Sequence, residues 1–283
     1  MDRMMKFGRK RAVLLSLCLF FAAWTAQAAR IDTLMVESPA MRKQVQVLFI
    51  VPDKALGERP QACPVVYLLH GYGGYALSWI KIKPELPALA DEKGMIFVCP
   101  DGQNSWYWDS PRHADSRYET FVAKELVEFA DRRYATRPDR RHRAITGFSM
   151  GGHGALWLAI RHKDVFGAAA SMSGGADIRP FPDSWEMKEQ LGEYAENKAV
   201  WDAHTVMTQL DRIDNGDLAL LIDCGEGDFF LPVNQELHRQ LLARGIGHDF
   251  ITRPGEHTLA YWNNSIDYHL LFFEKFFSPS SGR

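Results

Sequence analysis

The sequence has few cysteines and almost no net charge, and each of these scarcities excludes a class of protein. Its 283 residues contain 33 Lys and Arg against 35 Asp and Glu, a formal net charge of −2 at pH 7. The sequence thus has no excess of basic residues, which binding to nucleic acid would require. We therefore predict no nucleic-acid partner. Three cysteines follow residue 28, too few and too scattered for a disulfide framework. We predict buried free thiols at Cys63, Cys99 and Cys224, with one disulfide as the alternative.

Metal-binding patterns and linkers are also missing from the sequence. It contains no His-Glu-x-x-His and no Cys/His spacing typical of zinc sites, so we predict no metal. No internal repeat or low-complexity segment interrupts the chain. A content of 46% hydrophobic and 24% charged residues is ordinary for a soluble globular protein. We predict one domain over residues 29–283.

The first 28 residues have the pattern of a secretory signal peptide. Four basic residues between positions 6 and 11 precede an apolar stretch at 12–24, which is too short to span a bilayer comfortably. Ala26-Gln27-Ala28 is typical of a cleavage site. We predict cleavage after Ala28, a periplasmic or secreted protein, and no stable membrane anchor; an uncleaved anchor is the alternative.

The stretch 144–156 carries the most informative catalytic pattern. A short apolar run, predicted to be a buried strand, leads into Gly147-x-Ser149-x-Gly151, and residues 155–160 are typical of a helix. This arrangement is a nucleophile elbow, in which side chains at the two glycines would clash with neighbouring backbone. The turn lifts the Ser149 hydroxyl above the sheet and places the Met150 N–H at a helix N-terminus, where it can stabilise an oxyanion. The bare pattern also occurs by chance in loops, so the other members of a triad must follow it.

Strands and helices alternate along the chain. This alternation predicts an α/β fold with a mostly parallel central sheet and helices on both faces. Residues 173–210 are less regular and are predicted to form an insertion over the carboxyl end of the sheet, as a lid or substrate wall. Apolar runs predict strands at 44–51, 65–69, 95–99 and 218–224, and shorter strands are predicted at 166–172, which is rich in small residues, and at 249–252. Helices are predicted at 118–134, from the apolar periodicity, and at 233–243 and 259–277.

Two downstream loops provide an acid and a base. Asp228 follows the next-to-last predicted strand and His257 follows the last, in the order nucleophile, acid, base of the α/β-hydrolases. His257 would accept the Ser149 proton, and Asp228 would fix the imidazole tautomer and stabilise its cation. Because this chemistry needs only the triad and an oxyanion hole, we predict no cofactor. The alternatives are, as acid, Asp223 (predicted to be structural), Asp249 and Glu256, and, as base, His70, His153 and His248.

Two further loops are predicted to border the site. The glycine-rich turn after His70 is predicted to supply a second oxyanion donor, the N–H of Tyr72. The loop at 104–109 contains three consecutive aromatic residues. In a polar loop we do not expect all three to point inward, so we predict that at least one lines a pocket, with burial of all three as the alternative.

With these residues the chain resembles the esterase D family of α/β-hydrolases, over about residues 42–277. That family includes S-formylglutathione hydrolases, trehalose mycolyltransferases, tributyrin esterases, and feruloyl and acetyl-xylan esterases. The resemblance implies a triad of Ser149, Asp228 and His257, with oxyanion donors at Tyr72 and Met150. It further implies that the pocket is bordered by Trp106, Tyr107 and Trp262. The motifs that carry it are residues 68–74, 100–102, 104–107, 147–155, 224–231 and His257 with Tyr261-Trp262.

Two departures from the family pattern concern the base and the pocket. Glu256 precedes His257 where relatives often have a small residue, and a carboxylate there could raise the basicity of the imidazole. Trp108 stands where relatives often carry Thr, which is expected to narrow the pocket.

The predicted export narrows the function within this family. It argues against the glutathione-linked branch, whose substrate is cytosolic, and exposed aromatic residues suit aromatic acyl groups or sugar faces. We predict an exported serine carboxylesterase that hydrolyses small-molecule or carbohydrate esters, of the feruloyl or acetyl type, through an acyl-enzyme. An acyltransferase that passes the acyl group to a sugar hydroxyl is the alternative, and a catalytically silent carbohydrate-binding protein is a remote one. The oligomeric state stays open.

Overall fold

A central eight-stranded sheet organises the computed structural model, which describes residues 29–278. The predicted signal peptide therefore lies outside the described residues. In the sheet the order is β1-β2-β4-β3-β5-β6-β7-β8; β1 and β4 each pair antiparallel with β2, and the remaining pairs are parallel. The strands are β1 (Arg30–Ser38), β2 (Lys43–Val51), β3 (Val65–Leu69), β4 (Ile96–Pro100), β5 (Arg143–Phe148), β6 (Ala168–Met172), β7 (Ala219–Gly225) and β8 (Asp249–Arg253).

Helices cover both faces of the sheet and enclose two apolar cores. One core contains Leu126, Trp157 and Leu237, and the other contains Trp79 and Phe273. None of the helices within residues 29–278 has the length and apolar character needed to cross a bilayer. The α-helices are α1 (Ser78–Ile82), α2 (Leu86–Lys93), α3 (Tyr118–Thr120), α4 (Leu126–Arg133), α5 (Met150–Arg161), α6 (Met187–Leu191), α7 (Lys198–Ala203), α8 (Leu231–Ala243) and α9 (Leu259–Phe277). A π-helical segment, Phe121–Glu125, joins α3 to α4, and 3-10 helices lie at Asp53–Ala55, Arg140–His142 and Val206–Arg212.

This architecture confirms the predicted α/β fold, a mostly parallel sheet with helices on both faces. The largest difference is β1, which the apolar-run pattern does not predict. Its burial alternates weakly, and Ile31 and Met35 are exposed, because β1 is an edge strand that pairs only with β2. An edge strand with one solvated face lacks the continuous apolar run of a buried strand.

The segment 173–210 contains the short helices α6 and α7 and the first part of the last 3-10 helix. It is anchored by buried side chains, among them Met187, Leu191 and Trp201, which belong to the same core as α5. The indole N–H of Trp201 donates to the carbonyl of Gly192 at 2.8 Å. The segment is therefore packed as part of the main body and has its own internal hydrogen bonds.

The cysteines and the first described residues both have well-defined surroundings. The three cysteines of the described region are free and buried, as predicted. At the start of the described chain, the N–H of Ala29 donates to Asp91 Oδ2 at 2.7 Å, and the N–H of Asp53 donates to the other oxygen of the same carboxylate at 2.7 Å. Asp91, on helix α2, thus ties the first residues of the sheet to the turn after β2.

Candidate active site

The nucleophile turn between β5 and α5 has the strained geometry of an elbow. Ser149 has φ 56° and ψ −119°, a region that residues with a side chain rarely adopt. A Cβ on Gly147 would lie 2.5 Å from the carbonyl carbon of Gly151, and one on Gly151 would lie 2.4 Å from the carbonyl oxygen of Leu69. Both glycines are therefore required by close backbone approach. The turn projects the Ser149 side chain beyond the carboxyl end of the sheet.

Ser149, His257 and Asp228 form a continuous hydrogen-bonded chain. His257 Nδ1 lies 2.9 Å from Asp228 Oδ2, and His257 Nε2 lies 2.9 Å from Ser149 Oγ. Because an ionised carboxylate can only accept, Nδ1 carries the proton and Nε2 accepts from the serine hydroxyl. This is the tautomer that a general base for Ser149 requires.

The acid and the imidazole are held in place from several sides. Asp228 is buried, and its Oδ1 accepts the N–H of Phe230 at 2.8 Å. The imidazole of His257 packs against Phe229 at 4.3 Å between ring centroids and edge-on against Trp262 at 4.9 Å. These contacts fix the ring orientation, so the chain of hydrogen bonds is preorganised.

The alternative acid, Asp223, lies in a separate buried network. Its carboxylate accepts from Arg253 at 2.6 Å and from the hydroxyl of Tyr261 at 2.5 Å. His269 Nε2 lies 3.5 Å from it, and these partners lower the pKa of Asp223 against the opposing effect of burial. The structure therefore gives Asp223 no contact with His257 and accounts for it as a structural carboxylate, as expected.

The alternative bases are engaged elsewhere. His153 is buried; it accepts the indole N–H of Trp108 at 2.8 Å and donates to the carbonyl of Gly175. Burial lowers its pKa to about 4. His70 accepts the N–H of Gly102 and donates to Gly71, and His248 is bonded to His238. Glu256 is solvent-exposed, and no hydrogen bond joins its carboxylate to the imidazole of His257 in the described region.

The predicted oxyanion donors lie on the two loops that flank Ser149. Met150 is the first residue of α5, so its N–H has no acceptor within the helix. Tyr72 belongs to the turn after β3 and lines the cleft beside Ser149. Neither N–H donates to another group among residues 29–278. Both remain available to a carbonyl oxygen bound above Ser149, but that role stays a prediction.

A mainly apolar cleft of about 420 Å³ opens beside the serine. Aromatic residues form much of its lining, among them Phe148, Trp185 and Trp262, together with the serine and the imidazole. Trp262 stacks on Phe148 at 4.3 Å, and Lys81 is the one permanent cation among the lining residues. The full lining comprises Gly71, Tyr72, Gly73, Gly74, Tyr75, Ser78, Lys81, Ile82, Phe148, Ser149, Trp185, His257, Leu259 and Trp262.

The aromatic loop differs from expectation. Trp106, Tyr107 and Trp108 are all at most 1% exposed, and none lines the cleft, so the prediction that Trp106 and Tyr107 border the pocket is wrong. The reason is backbone geometry, since φ is 55° at Trp106 and 61° at Tyr107. These values break the alternation of an extended loop and turn consecutive side chains inward. Trp108, expected to narrow the pocket, instead stacks on Trp106 and donates its indole N–H to His153.

The sequence does not predict two of the aromatic residues that line the cleft, Phe148 and Trp185. Phe148 precedes the nucleophile at the end of β5, where its apolar character is accounted for equally well by strand burial. Trp185 belongs to the irregular segment 173–210, whose predicted role as a substrate wall was the available signal. Trp262, which was expected at the pocket, does line the cleft, while its contact with substrate stays a prediction. No group of three or more His, Cys, Asp or Glu side chains within residues 29–278 is placed to hold a metal ion.

Comparison with known proteins assigns the chain to a family. The Esterase family model matches residues 38–273. An acetyl esterase of Caldicellulosiruptor saccharolyticus is 24% identical over 247 residues, covering 81% of this chain and 92% of that protein. The fluorophosphonate-binding serine hydrolase F of Staphylococcus aureus superposes with a TM-score of 0.79 at 21% identity, covering 87% of this chain and 99% of the other. A ferulic acid esterase gives 0.77 at 26% identity, with 89% and 99% covered.

The fold and the matched family agree with the chemistry of a serine nucleophile at an elbow. The chain belongs to the Esterase family of α/β-hydrolases and is a serine hydrolase that acts on carboxylic ester bonds.

Proposed function

We propose that this protein is an exported esterase that hydrolyses acyl esters of carbohydrates, of the feruloyl or acetyl type, with Ser149, His257 and Asp228 as its triad. The observation that carries the catalytic part is the hydrogen-bonded chain from Asp228 to Ser149, with both distances at 2.9 Å. A serine hydroxyl is barely ionised at neutral pH, so it needs such a base within reach to become a nucleophile.

The reaction proceeds in two halves. Ser149 Oγ attacks the ester carbonyl carbon while His257 Nε2 takes its proton, and the resulting oxyanion accepts the N–H groups of Tyr72 and Met150. When the tetrahedral intermediate collapses, the bond to the alcohol breaks and the alcohol takes the proton from His257. Water then attacks the acyl-enzyme with His257 as base, which releases the acid and restores Ser149.

The lining of the cleft supports the proposed acyl groups. Phe148, Trp185 and Trp262 offer flat apolar faces to a planar aromatic acyl group, and ring stacking is the preferred contact between such groups. A volume of about 420 Å³ lies within the range of small-molecule sites, roughly 300–1,000 Å³. Among the proteins similar to this chain, one is named an acetyl esterase and another a ferulic acid esterase.

A hydrolysis panel tests the proposed substrate class. Purified protein is assayed with p-nitrophenyl acetate, p-nitrophenyl butyrate, methyl ferulate and acetylated xylan, with Ser149→Ala as the blank. Ser278→Ala, at the exposed end of α9, is the matched control. We expect turnover of methyl ferulate or acetylated xylan that is lost in Ser149→Ala and kept in Ser278→Ala.

Two outcomes would contradict parts of the proposal. Turnover of p-nitrophenyl esters alone would refute the carbohydrate ester as substrate and leave the esterase intact. Formation of a new sugar ester in the presence of excess sugar, instead of free acid, would replace hydrolysis by acyl transfer. Export is tested separately by mass spectrometry of the protein recovered from outside the cytoplasm; a mature N-terminus at Ala29 is expected.

A further inference from the structure

We infer that a polar groove beside the ester cleft is a binding subsite for a sugar unit in the alcohol portion of the substrate. The inference rests on the proposed function, because it assumes that the alcohol is a carbohydrate. We call this cavity the Asn104 groove; its volume is about 340 Å³. It is lined by Lys43, Gln103, Asn104, Ser105, His113, Asp115, Ser116 and Gln190.

The composition of the groove differs sharply from that of the cleft. All eight lining residues have polar side chains, whereas the cleft is mainly apolar. Amides and hydroxyls both donate and accept, Lys43 only donates and ionised Asp115 only accepts. A sugar presents closely spaced hydroxyl groups that are each donor and acceptor, so it can pair with such a mixed set. A purely anionic or purely apolar ligand would leave part of this set without partners.

Several of these groups are unpaired within residues 29–278. The ammonium of Lys43 lies 5.0 Å above the ring of Tyr118 and has no carboxylate at ion-pair distance. The carboxylate of Asp115 likewise has no cationic partner among the described residues. Gln190 accepts the Ser116 hydroxyl at 3.1 Å, while its amide N–H₂ donates to no described group. Hydroxyl groups of a bound sugar would satisfy these donors and acceptors together.

Asn104 links the groove to the ester cleft through hydrogen bonds. Asn104 lines the groove, and its Oδ1 accepts the N–H of Gly73, a cleft residue, at 2.9 Å. Its side-chain amide donates to Glu186 at 3.1 Å, and Glu186 follows Trp185, which lines the cleft. An ester held at Ser149 with its acyl group in the apolar cleft can therefore extend its alcohol past Asn104 into the groove.

The loop that forms the wall of the groove is rigidly anchored. Its buried aromatic residues hold it from below, since the Tyr107 hydroxyl donates to the carbonyl of His70 at 3.1 Å. The Ser105 hydroxyl donates to the carbonyl of Gly102 at 2.6 Å. Gln103 itself has φ 46°, and such strained positions persist only where the surroundings determine them. A preorganised wall loses less conformational entropy when it binds a ligand.

The test compares a groove variant with a matched variant on the opposite side of the molecule. The double variant Gln103→Ala/Asp115→Ala removes two exposed side chains of the groove. The control, Gln61→Ala/Asp164→Ala, removes the same residue types at exposed positions before β3 and after α5, at the far end of the sheet from Ser149. Helix α5 alone separates Asp164 from the elbow by about 18 Å, at 1.5 Å per residue.

Two readouts are measured for each protein. The first is the ratio of kcat/KM for an acetylated xylo-oligosaccharide to kcat/KM for p-nitrophenyl acetate. The second is calorimetric binding of the deacetylated xylo-oligosaccharide. We expect the groove variant to lose about 30-fold or more in both, the effect of about one neutral hydrogen bond and one to a charged group, with no change in the control.

The outcomes separate this inference from the proposed function. Equal ratios and equal binding in the groove and control variants would overturn the groove as a sugar subsite while leaving a carbohydrate esterase in place. If p-nitrophenyl acetate alone is turned over, the proposed substrate is wrong. In that case binding of the xylo-oligosaccharide, lost only in the groove variant, would still support the subsite, and absence of binding would refute it.

Discussion

Two carboxylates near the end of β7 allow catalysis and stability to be tested separately. Asp228 accepts the Nδ1–H of His257 and the N–H of Phe230. In Asp228→Asn the amide oxygen can still accept from Phe230, but the amide nitrogen then faces Nδ1. The imidazole must switch to the tautomer that carries its proton on Nε2. That tautomer cannot accept the proton of Ser149, although the fold loses no buried charge pair.

The size of the effect follows from the loss of the base. We expect Asp228→Asn to lower kcat for p-nitrophenyl acetate by about 10³- to 10⁴-fold, as for a triad locked in the wrong tautomer. This corresponds to about 4–5.5 kcal/mol of transition-state stabilisation, at about 1.4 kcal/mol per factor of ten. Because the change preserves shape and the Phe230 hydrogen bond, the melting temperature should change by less than about 4 °C.

Asp223→Asn should behave in the opposite way. It removes the charge that pairs with Arg253 and leaves the guanidinium partly buried without its counter-ion. Breaking one side of a buried ion pair costs about 3–5 kcal/mol. For a domain of this size that lowers the melting temperature by about 6–20 °C. The folded variant should retain kcat within about tenfold, because Asp223 does not contact His257.

The assay combines initial rates at 20 °C with thermal unfolding followed by circular dichroism. Each variant is measured in the same buffer, and the folded fraction is determined before kcat is calculated. An Asp228→Asn enzyme that keeps its rate, together with an Asp223→Asn enzyme that loses its rate without losing stability, would refute the assignment of the acid. Loss of both properties in both variants would refute the separation of the two networks.

Three further outcomes are expected. Ser149→Gly should be inactive, like Ser149→Ala, but its melting temperature should be about 2–4 °C above that of Ser149→Ala, since glycine relieves the strain at φ 56°. Equal melting temperatures of the two variants would show that the turn is unstrained. Desolvation raises the pKa values of the buried thiols of Cys63, Cys99 and Cys224, so in the folded protein they should resist a thiol reagent at pH 8. All three should react after denaturation, and a single reactive thiol in the denatured protein would indicate a disulfide. Stability should fall as pH drops from about 6.5 toward 4, because burial lowers the pKa of His153 to about 4 and also lowers those of His204 and His269. Over that pH range the unfolded chain binds more protons than the native one, which lowers the free energy of unfolding. A melting temperature that does not change between pH 7 and 5 would contradict the expected loss of stability.

The sequence predicts best those parts of the fold and site where few other residue types could take the same position. Gly147 and Gly151 must be glycine because a Cβ atom on either one would lie only 2.4–2.5 Å from backbone atoms. The elbow can therefore be recognised from the sequence. Asp228 follows the apolar run of β7, and His257 follows the short strand β8. Strand β1 escapes detection because it is an edge strand with exposed apolar residues.

The aromatic loop shows what local sequence cannot reveal. The inward orientation of Trp106 and Tyr107 depends on two positive φ angles and on partners distant in the chain. Trp106 packs edge-on against His153 at 5.3 Å, and Tyr107 fits against Gly154, where a Cβ would lie 2.4 Å from its ring. Those partners become neighbours only after α5 has packed on the sheet, so no window of the sequence contains the information.

If the chain is cleaved after Ala28 as predicted, the contact between Ala29 and Asp91 changes its character. Before cleavage after Ala28, the nitrogen of Ala29 is a neutral amide donor to the Asp91 carboxylate at 2.7 Å. After cleavage the same nitrogen is an α-ammonium, largely protonated at pH 7, and the hydrogen bond becomes charge-assisted. The precursor and any recombinant form with residues ahead of Ala29 lack this ion pair. The predicted cleavage would thus add a stabilising ion pair between the new N-terminus and helix α2 of the folded protein.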